Sequence, residues 1–377
     1  MITFDLMRFH SGVRPRGLPI LLPSLAALCV LPFGVALALT PPDAGAARAS
    51  RTQSATRDDY SQRDDVRSFI AELVANDGFD AKELSDTFRE AQPQPRVIAA
   101  MSRPVVAPPK WFDYAPQFLS ARRIAGGVEF WSANAFTLEH AERQFGVPAE
   151  IIVAIIGVET FYGRNTGNYR VIDALTTLAF DYPRRAEFFR RELRQFLLMS
   201  REQGMSPLTA RGSFAGAIGL PQFMPGSFRA YAVDYDADGR IDLWSRPEDA
   251  IGSVGHYLAD HDWRAGQRVD APVSLTREAS DRLAGKLDGG LSERRPLDAW
   301  ASDGIDTGSL IELGDDPAGL LMLEESDGPR YRFVFHNWYV LTRYNKSRLY
   351  ASAVWALAKA VRTARERAAE PVAVKPG

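Results

Sequence analysis

Apolar residues recur at helical spacing along most of the chain, and the points where that spacing starts, stops or changes divide it into segments. Val66, Phe69, Ile70 and Leu73 predict a first helix closed by Gly78, and Leu84 and Phe88 predict a short second one. Pro93, Pro95, Pro104, Pro108 and Pro109 favour extended chain between them and the middle of the sequence. Phe136, Leu138, Ala141 and Phe145 predict a helix ending at Gly146, with Pro148 set to begin the next. That next helix, from Pro148 to about Glu159, is apolar all round and so belongs in the centre of the molecule. A longer amphipathic helix from Pro183 to Gln203 turns Phe189, Leu193, Phe196 and Leu197 inward, and another follows Asp249 with Ile251, Val254 and Leu258 inward.

Between Gln267 and Phe335 the period changes. Short runs such as Val269 to Leu275 and Tyr331 to Phe335, separated by Gly, Asp and Pro, predict a small antiparallel sheet. A final helix over Ser347 to Arg365, with Tyr350, Val354, Leu357 and Val361 on one stripe, returns to the central helices. The fold class is therefore mainly α, formally α+β. Its segments are an N-terminal helical part (63–146), a helical core (147–266), a β-rich insertion (267–335), a returning C-terminal helix (336–366) and a disordered tail (367–377).

The N-terminus has a different pattern. Arg8, Arg14 and Arg16 precede an uncharged apolar stretch from Leu18 to Leu39, followed by small residues at Ala44, Ala46, Ala47 and Ala49. Residues 1–39 read either as a cleaved export signal or as an anchor that leaves residues 17–39 in the membrane, with Pro19, Pro23 and Pro32 weakening the spanning helix. Residues 40–62 read as a linker. The single cysteine, Cys29, lies in the apolar stretch, so the remainder of the chain folds without disulfides in what this leader marks as the periplasm. With 46% hydrophobic and 24% charged residues, the rest is an ordinary folded protein. A net charge of -2 with interleaved signs offers no basic stripe for nucleic acid.

Glu159 is the first candidate for chemistry. It ends the apolar helix on the face of Ile152 and Ile155 or Ile156, where burial would raise its pKa toward that of a general acid working near neutral pH. A structural Glu paired with an arginine satisfies the pattern equally well. The stretch 212–226, with four glycines, two prolines, Ser213 and Gln222, suits a tight loop against which a polymer lies, or a packed connector. Five histidines supply no zinc motif, and no nucleophile elbow is present.

Four strings in order resemble the membrane-bound lytic murein transglycosylase B family of the lysozyme-like superfamily. They are Gly157-Val158-Glu159-Thr160-Phe161-Tyr162-Gly163, then Tyr182 to Glu187, then Gly212 to Ala217 with Gln222-Phe223-Met224-Pro225, and Thr342-Arg343-Tyr344-Asn345. The resemblance covers about Val66 to Ala358. It implies a lysozyme-like core and a catalytic acid at Glu159. It also implies saccharide contacts at Ser213, Gln222, Tyr257, Tyr344 and Asn345, with Arg184 and Arg185 available to stem peptides or sitting simply as a solvated helix start. The implied partner is the peptidoglycan glycan strand; partners among the cell-wall synthesis proteins are not readable. The implied reaction is cleavage between MurNAc and GlcNAc by one carboxyl and no cofactor, with attack by the MurNAc C6 hydroxyl giving a 1,6-anhydro end. A hydrolytic muramidase on the same strand and a non-catalytic wall-binding scaffold are the rival readings.

Residues 234–242 reproduce the start of a calcium loop. Asp234, Asp236, Asp238 and Asp242 stand at positions 1, 3, 5 and 9, the Arg240 carbonyl at 7 and Gly239 at the turn. Ser245 replaces the usual Glu at position 12, and Asp249 is placed to close a longer loop, 234–249. The expectation is a structural calcium ion.

Overall fold

The structure, a computed structural model, describes residues 59–103, 109–287, 293–308, 310 and 316–369. The leader, Cys29, most of the linker and the tail from residue 370 lie outside them. The linker expected over 40–62 ends sooner than its composition indicates. Asp59 caps a 3-10 turn over Tyr60–Gln62, and Tyr60 is fully buried with its hydroxyl donating to Asp181 at 2.5 Å. One aromatic in a polar stretch has no period, so only its tertiary partner reveals it.

Helix α1 (Asp64–Asp77) buries Val66, Phe69, Ile70 and Leu73 and stops where Gly78 turns left-handed. In α2 (Ala81–Glu90), Asp80 accepts the Glu83 N–H as a cap. The chain after Pro93 is not all extended: α3 (Pro95–Met101) holds Pro95 in its first turn, where the missing N–H has no helical partner to lose. Next come α4 (Trp111–Tyr114) and α5 (Ala121–Ala133), the latter capped by Ser120. Helix α6 (Ala135–Phe145) ends at Gly146, with Leu138 and Ala141 buried, but Phe136 is 80% exposed. Two residues from Leu138, it falls on the opposite side of the helix.

Helix α7 (Ala149–Thr160) lies at the centre, with every residue but Glu159 buried. It packs against α5, and Gly157 makes room for the Tyr162 ring; a Cβ there would sit 2.6 Å from the Tyr162 hydroxyl. A short antiparallel pair, β1 (Tyr169–Arg170) with β2 (Arg211–Gly212), brackets α8 (Val171–Phe180) and α9 (Ala186–Glu202). All of α8 is buried, and its short apolar run carries no stripe to announce it. Helix α9 packs on α8, and the four residues expected inward are buried. Then α10 (Pro225–Tyr231) leads to α11 (Pro247–Asp260), which begins before Asp249 and takes it into its first turn.

The insertion contains the expected sheet and two helices besides. Strand β3 (Asp270–Val273) is followed by α12 (Arg277–Leu287) and α13 (Leu297–Ser302), then by the hairpin of β4 (Gly319–Glu325) and β5 (Gly328–Val334), in the order β3-β5-β4. It has its own core around Trp300, Leu283, Leu320 and Phe333. The returning helix is two helices, α14 (His336–Tyr344) and α15 (Arg348–Ala369), so the segment expected to be a disordered tail from 367 is still helical at its start. Helix α15 lies along α7 and α5.

Candidate active site

The last turn of α7 brings Glu159 out of the apolar centre. The residue keeps some exposed surface, but its carboxyl is surrounded by protein, and that burial pushes its pKa up to about 7. A hydrogen bond from the Tyr350 hydroxyl to Oε1, 2.6 Å long, favours the charged form and opposes the rise. Among the described residues no second carboxylate acts on it. Near neutral pH this group is divided between acid and base, the condition for one residue to give and then take a proton.

Beyond Thr160 the helix ends abruptly. Phe161 and Tyr162 both adopt left-handed conformations, with φ of 54° and 59°. Each such residue costs about 1–2 kcal/mol, and the turn points the two rings to opposite uses: Tyr162 packs over the glycines of α5 and α7, while Phe161 lies beneath arginines. Thr160 ties the helix to the glycine loop by donating to the Leu220 carbonyl at 3.0 Å.

An aromatic wall continues from Tyr350. Tyr344 stacks on it, with ring centroids 6.3 Å apart and planes 13° from parallel, and donates to the Pro221 carbonyl at 2.6 Å. Tyr257 meets Tyr344 edge-on at 4.9 Å, and Phe223 contacts both. The Tyr257 hydroxyl donates to the Arg343 carbonyl at 2.8 Å and His261 stacks on its ring at 4.1 Å, so this buried tyrosine backs the wall instead of facing a sugar. Asn345 stands at the C-terminal end of α14, next to Tyr344.

The loop over 212–226 is folded on itself by the bridges Gly212 to Ile218 and Ile218 to Phe223. Ser213 Oγ accepts the Ala217 N–H at 3.0 Å, which leaves its proton to donate. Gln222 adopts φ 52°, and its Nε2 donates to the carbonyls of Thr166 and Gly219, which leaves Oε1 as an acceptor. Arg184 is exposed. Arg185 lies on the Phe188 ring at 4.4 Å near Glu192, whose carboxylate accepts the N–H of Gly226 at the end of the loop. Tyr350, read from the sequence as one more member of an apolar stripe, is the functional side chain that periodicity hides. Only its hydroxyl distinguishes it from the leucines around it.

Of the acidic loop, Asp234, Asp236 and Asp249 bring carboxylate oxygens within 4.8 Å of one another. Asp249 is fully buried, which pushes its pKa up, and accepts the N–H groups of Tyr235 and Asp242, both at 2.7 Å. Asp238 and Asp242 turn to the loop itself, the first accepting the Arg240 N–H and the second those of Trp244 and Ser245. Three converging oxygen donors and a left-handed Gly239 fit a hard divalent cation. The loop also supports the cleft. Leu220 N–H donates to the Leu243 carbonyl at 2.8 Å, and left-handed Gly219 packs there so closely that a Cβ would lie 2.5 Å from that oxygen.

Comparison with known proteins agrees with this geometry. Residues 61–359 match the Transglycosylase SLT domain. The membrane-bound lytic murein transglycosylase B of Escherichia coli is 39% identical over 317 residues, covering 81% of this chain and 85% of that protein. The crystal structure of soluble lytic transglycosylase SltB1 from Pseudomonas aeruginosa superposes with a TM-score of 0.73 at 44% identity, over 80% of this chain and 99% of that one. The Escherichia coli lytic transglycosylase Slt35 in complex with calcium superposes with a TM-score of 0.73 at 38% identity, over 83% and 95% of the two chains.

Proposed function

The chain belongs to the transglycosylase SLT family and is a lysozyme-like lytic transglycosylase of the bacterial wall, and on that footing we propose that Glu159 alone carries both proton transfers of peptidoglycan cleavage. The supporting observation is a single carboxyl buried enough to hold a proton near pH 7, with no second carboxylate acting on it among the described residues. Glu159 first protonates the glycosidic oxygen between MurNAc and GlcNAc. It then accepts the proton of the MurNAc C6 hydroxyl as that oxygen attacks C1, closing a 1,6-anhydro ring. No water enters, because the nucleophile belongs to the sugar already bound and gains the proximity that a second carboxylate gives elsewhere by holding water.

Tyr350 keeps the carboxyl oriented. Tyr344, half-buried with Tyr257 behind it, offers its ring to sugars, and the Ser213 hydroxyl and Gln222 Oε1 offer a donor and an acceptor. Asp234, Asp236 and Asp249 would hold calcium, which supplies loop rigidity and takes no part in the chemistry. The Arg-led apolar leader over residues 1–39 supports a periplasmic location, where the glycan strands lie. No helix among the described residues is long and apolar enough to cross a membrane, and residues 17–39 are the candidate anchor in the sequence. Digestion of purified sacculi tests the reaction: muropeptide ends one water lighter than reducing ends support it, and reducing ends alone would replace it with hydrolysis.

A further inference from the structure

The residue after Glu159 joins the catalytic helix to two other segments. Thr160 is the last residue of α7 and is 1% exposed. Its hydroxyl proton is shared between the Ile156 carbonyl one turn back, at 3.2 Å, and the Leu220 carbonyl, at 3.0 Å, while its oxygen accepts the Gly163 N–H at 3.0 Å. The bond to Ile156 is the ordinary back-bond of a threonine in a helix. The other two reach outside α7: one crosses 60 positions to the glycine loop, and one draws in the turn that follows the helix.

Leu220 is itself held from several sides. Its N–H donates to the Leu243 carbonyl of the acidic loop at 2.8 Å, and its side chain lies against Gly163, where a Cβ would stand 3.5 Å from Leu220 Cγ. It is therefore a fixed reference for whatever bonds its carbonyl. The end of α7 needs one, because the last carbonyls of a helix have no partner within it and the last turn frays. Here the next two residues, Phe161 and Tyr162, are both left-handed and cannot prolong the helix. Glu159 and Thr160 are joined by a planar peptide of fixed length, so a shift of one moves the other.

We propose that Thr160 is a positioning residue for the reaction: its hydroxyl fixes the last turn of α7 against Leu220 and so sets where the Glu159 carboxyl stands. This rests on the reading of Glu159 as the acid given above. Thr160 itself transfers no proton, since it is buried and its three partners are all backbone groups. Burial raises the Glu159 pKa to about 7, so a carboxyl that moves toward water titrates lower, and the pH profile of cleavage reports its place.

The test compares Thr160→Val, which removes the hydroxyl from a side chain of nearly the same shape, and Thr160→Ser, which keeps it, with the wild type on soluble glycan strands. In Thr160→Val kcat is expected to fall about tenfold while KM stays within about twofold, part of the roughly 10²-fold loss that a misplacement of about 1 Å brings. The decline of kcat/KM with rising pH should begin at lower pH in that variant, and Thr160→Ser should keep the wild-type kcat and profile. A threonine that only fills space would lose stability and leave the profile where it is. An unmoved profile in Thr160→Val, or equal losses in the Val and Ser variants, would overturn the proposal. If Thr160→Val does not fold, Thr160→Cys puts a weak donor in place of the hydroxyl and should show the same downward shift, a wild-type profile again overturning it. Failure of the catalytic reading would show instead as undiminished cleavage by Glu159→Gln itself.

Discussion

At the residue scale everything turns on the Glu159 carboxyl. Its pKa near 7 in the folded protein exceeds the unfolded value of 4.5, so the folded state binds the proton more tightly. Stability therefore falls as pH rises from about 4.5 and levels off above 7, because the folded state is then forced to hold a buried charge. Wild type should lose unfolding free energy between pH 5 and 8 in urea titrations relative to Glu159→Gln, which has nothing to ionise there. The same variant should lose about 10³-fold in turnover of sacculi. The acid limb works only when protonated, so kcat/KM should decline above pH 7. Tyr350→Phe removes the hydrogen bond that favours the charged form, so the decline should begin at higher pH, measured as the pH profile on soluble glycan. A profile unchanged by the substitution would show that the hydroxyl only fills space. Glu159 was legible from its place at the end of an apolar helix; its partner was not, since Tyr350 lies on the buried stripe of α15, 191 positions away.

At the scale of elements, the acidic loop and the saccharide loop behave as one unit. In the first, the Leu243 carbonyl accepts the Leu220 N–H of the second, and the Trp244 indole N–H donates to the carbonyl of Arg211, just before it. Calcium at a hundredfold its dissociation constant should raise the unfolding free energy by about 2.7 kcal/mol, with EDTA reversing the gain in thermal melts. Asp249→Ala should lose that response and also free the N–H groups of Tyr235 and Asp242. Amide exchange at Gly219 and Leu220 should quicken in the same variant; unaltered exchange would mean the two loops are independent. The spacing of aspartates announced the loop. Which of them converge was decided by folding, because Asp249 arrives on α11 to bring its carboxylate beside those of Asp234 and Asp236.

At the scale of the whole molecule there are two cores, a large helical one around α7 and a smaller one in the insertion around Trp300. Trp300 is fully buried and donates its indole N–H to the Ala318 carbonyl at 2.9 Å. Trp300→Ala should cost about 3–5 kcal/mol locally. Hydrogen exchange should then rise across β3, β4 and β5 before it rises in α7, and simultaneous loss in both would show one cooperative unit. Long-range pairing of this kind is where sequence reading reached its limit. The sequence by itself determined the helical class, the central burial of α7, the β character of the insertion and the place of Glu159 at the end of the apolar helix, because apolar period and motif spacing are local quantities that one chain segment carries alone. It missed α3, the buried α8 and the break between α14 and α15, where proline in a first turn, a short helix buried on every side with Asp173, Thr176 and Thr177 included, or a brief interruption leaves no readable period. Only tertiary structure decided that Tyr350 meets Glu159, that three arginines share the Phe161 ring, and that Asp249 joins Asp234 and Asp236. Each of those encounters depends on how separate elements pack, and desolvation, the force that shifts the Glu159 proton, exists only once they have packed.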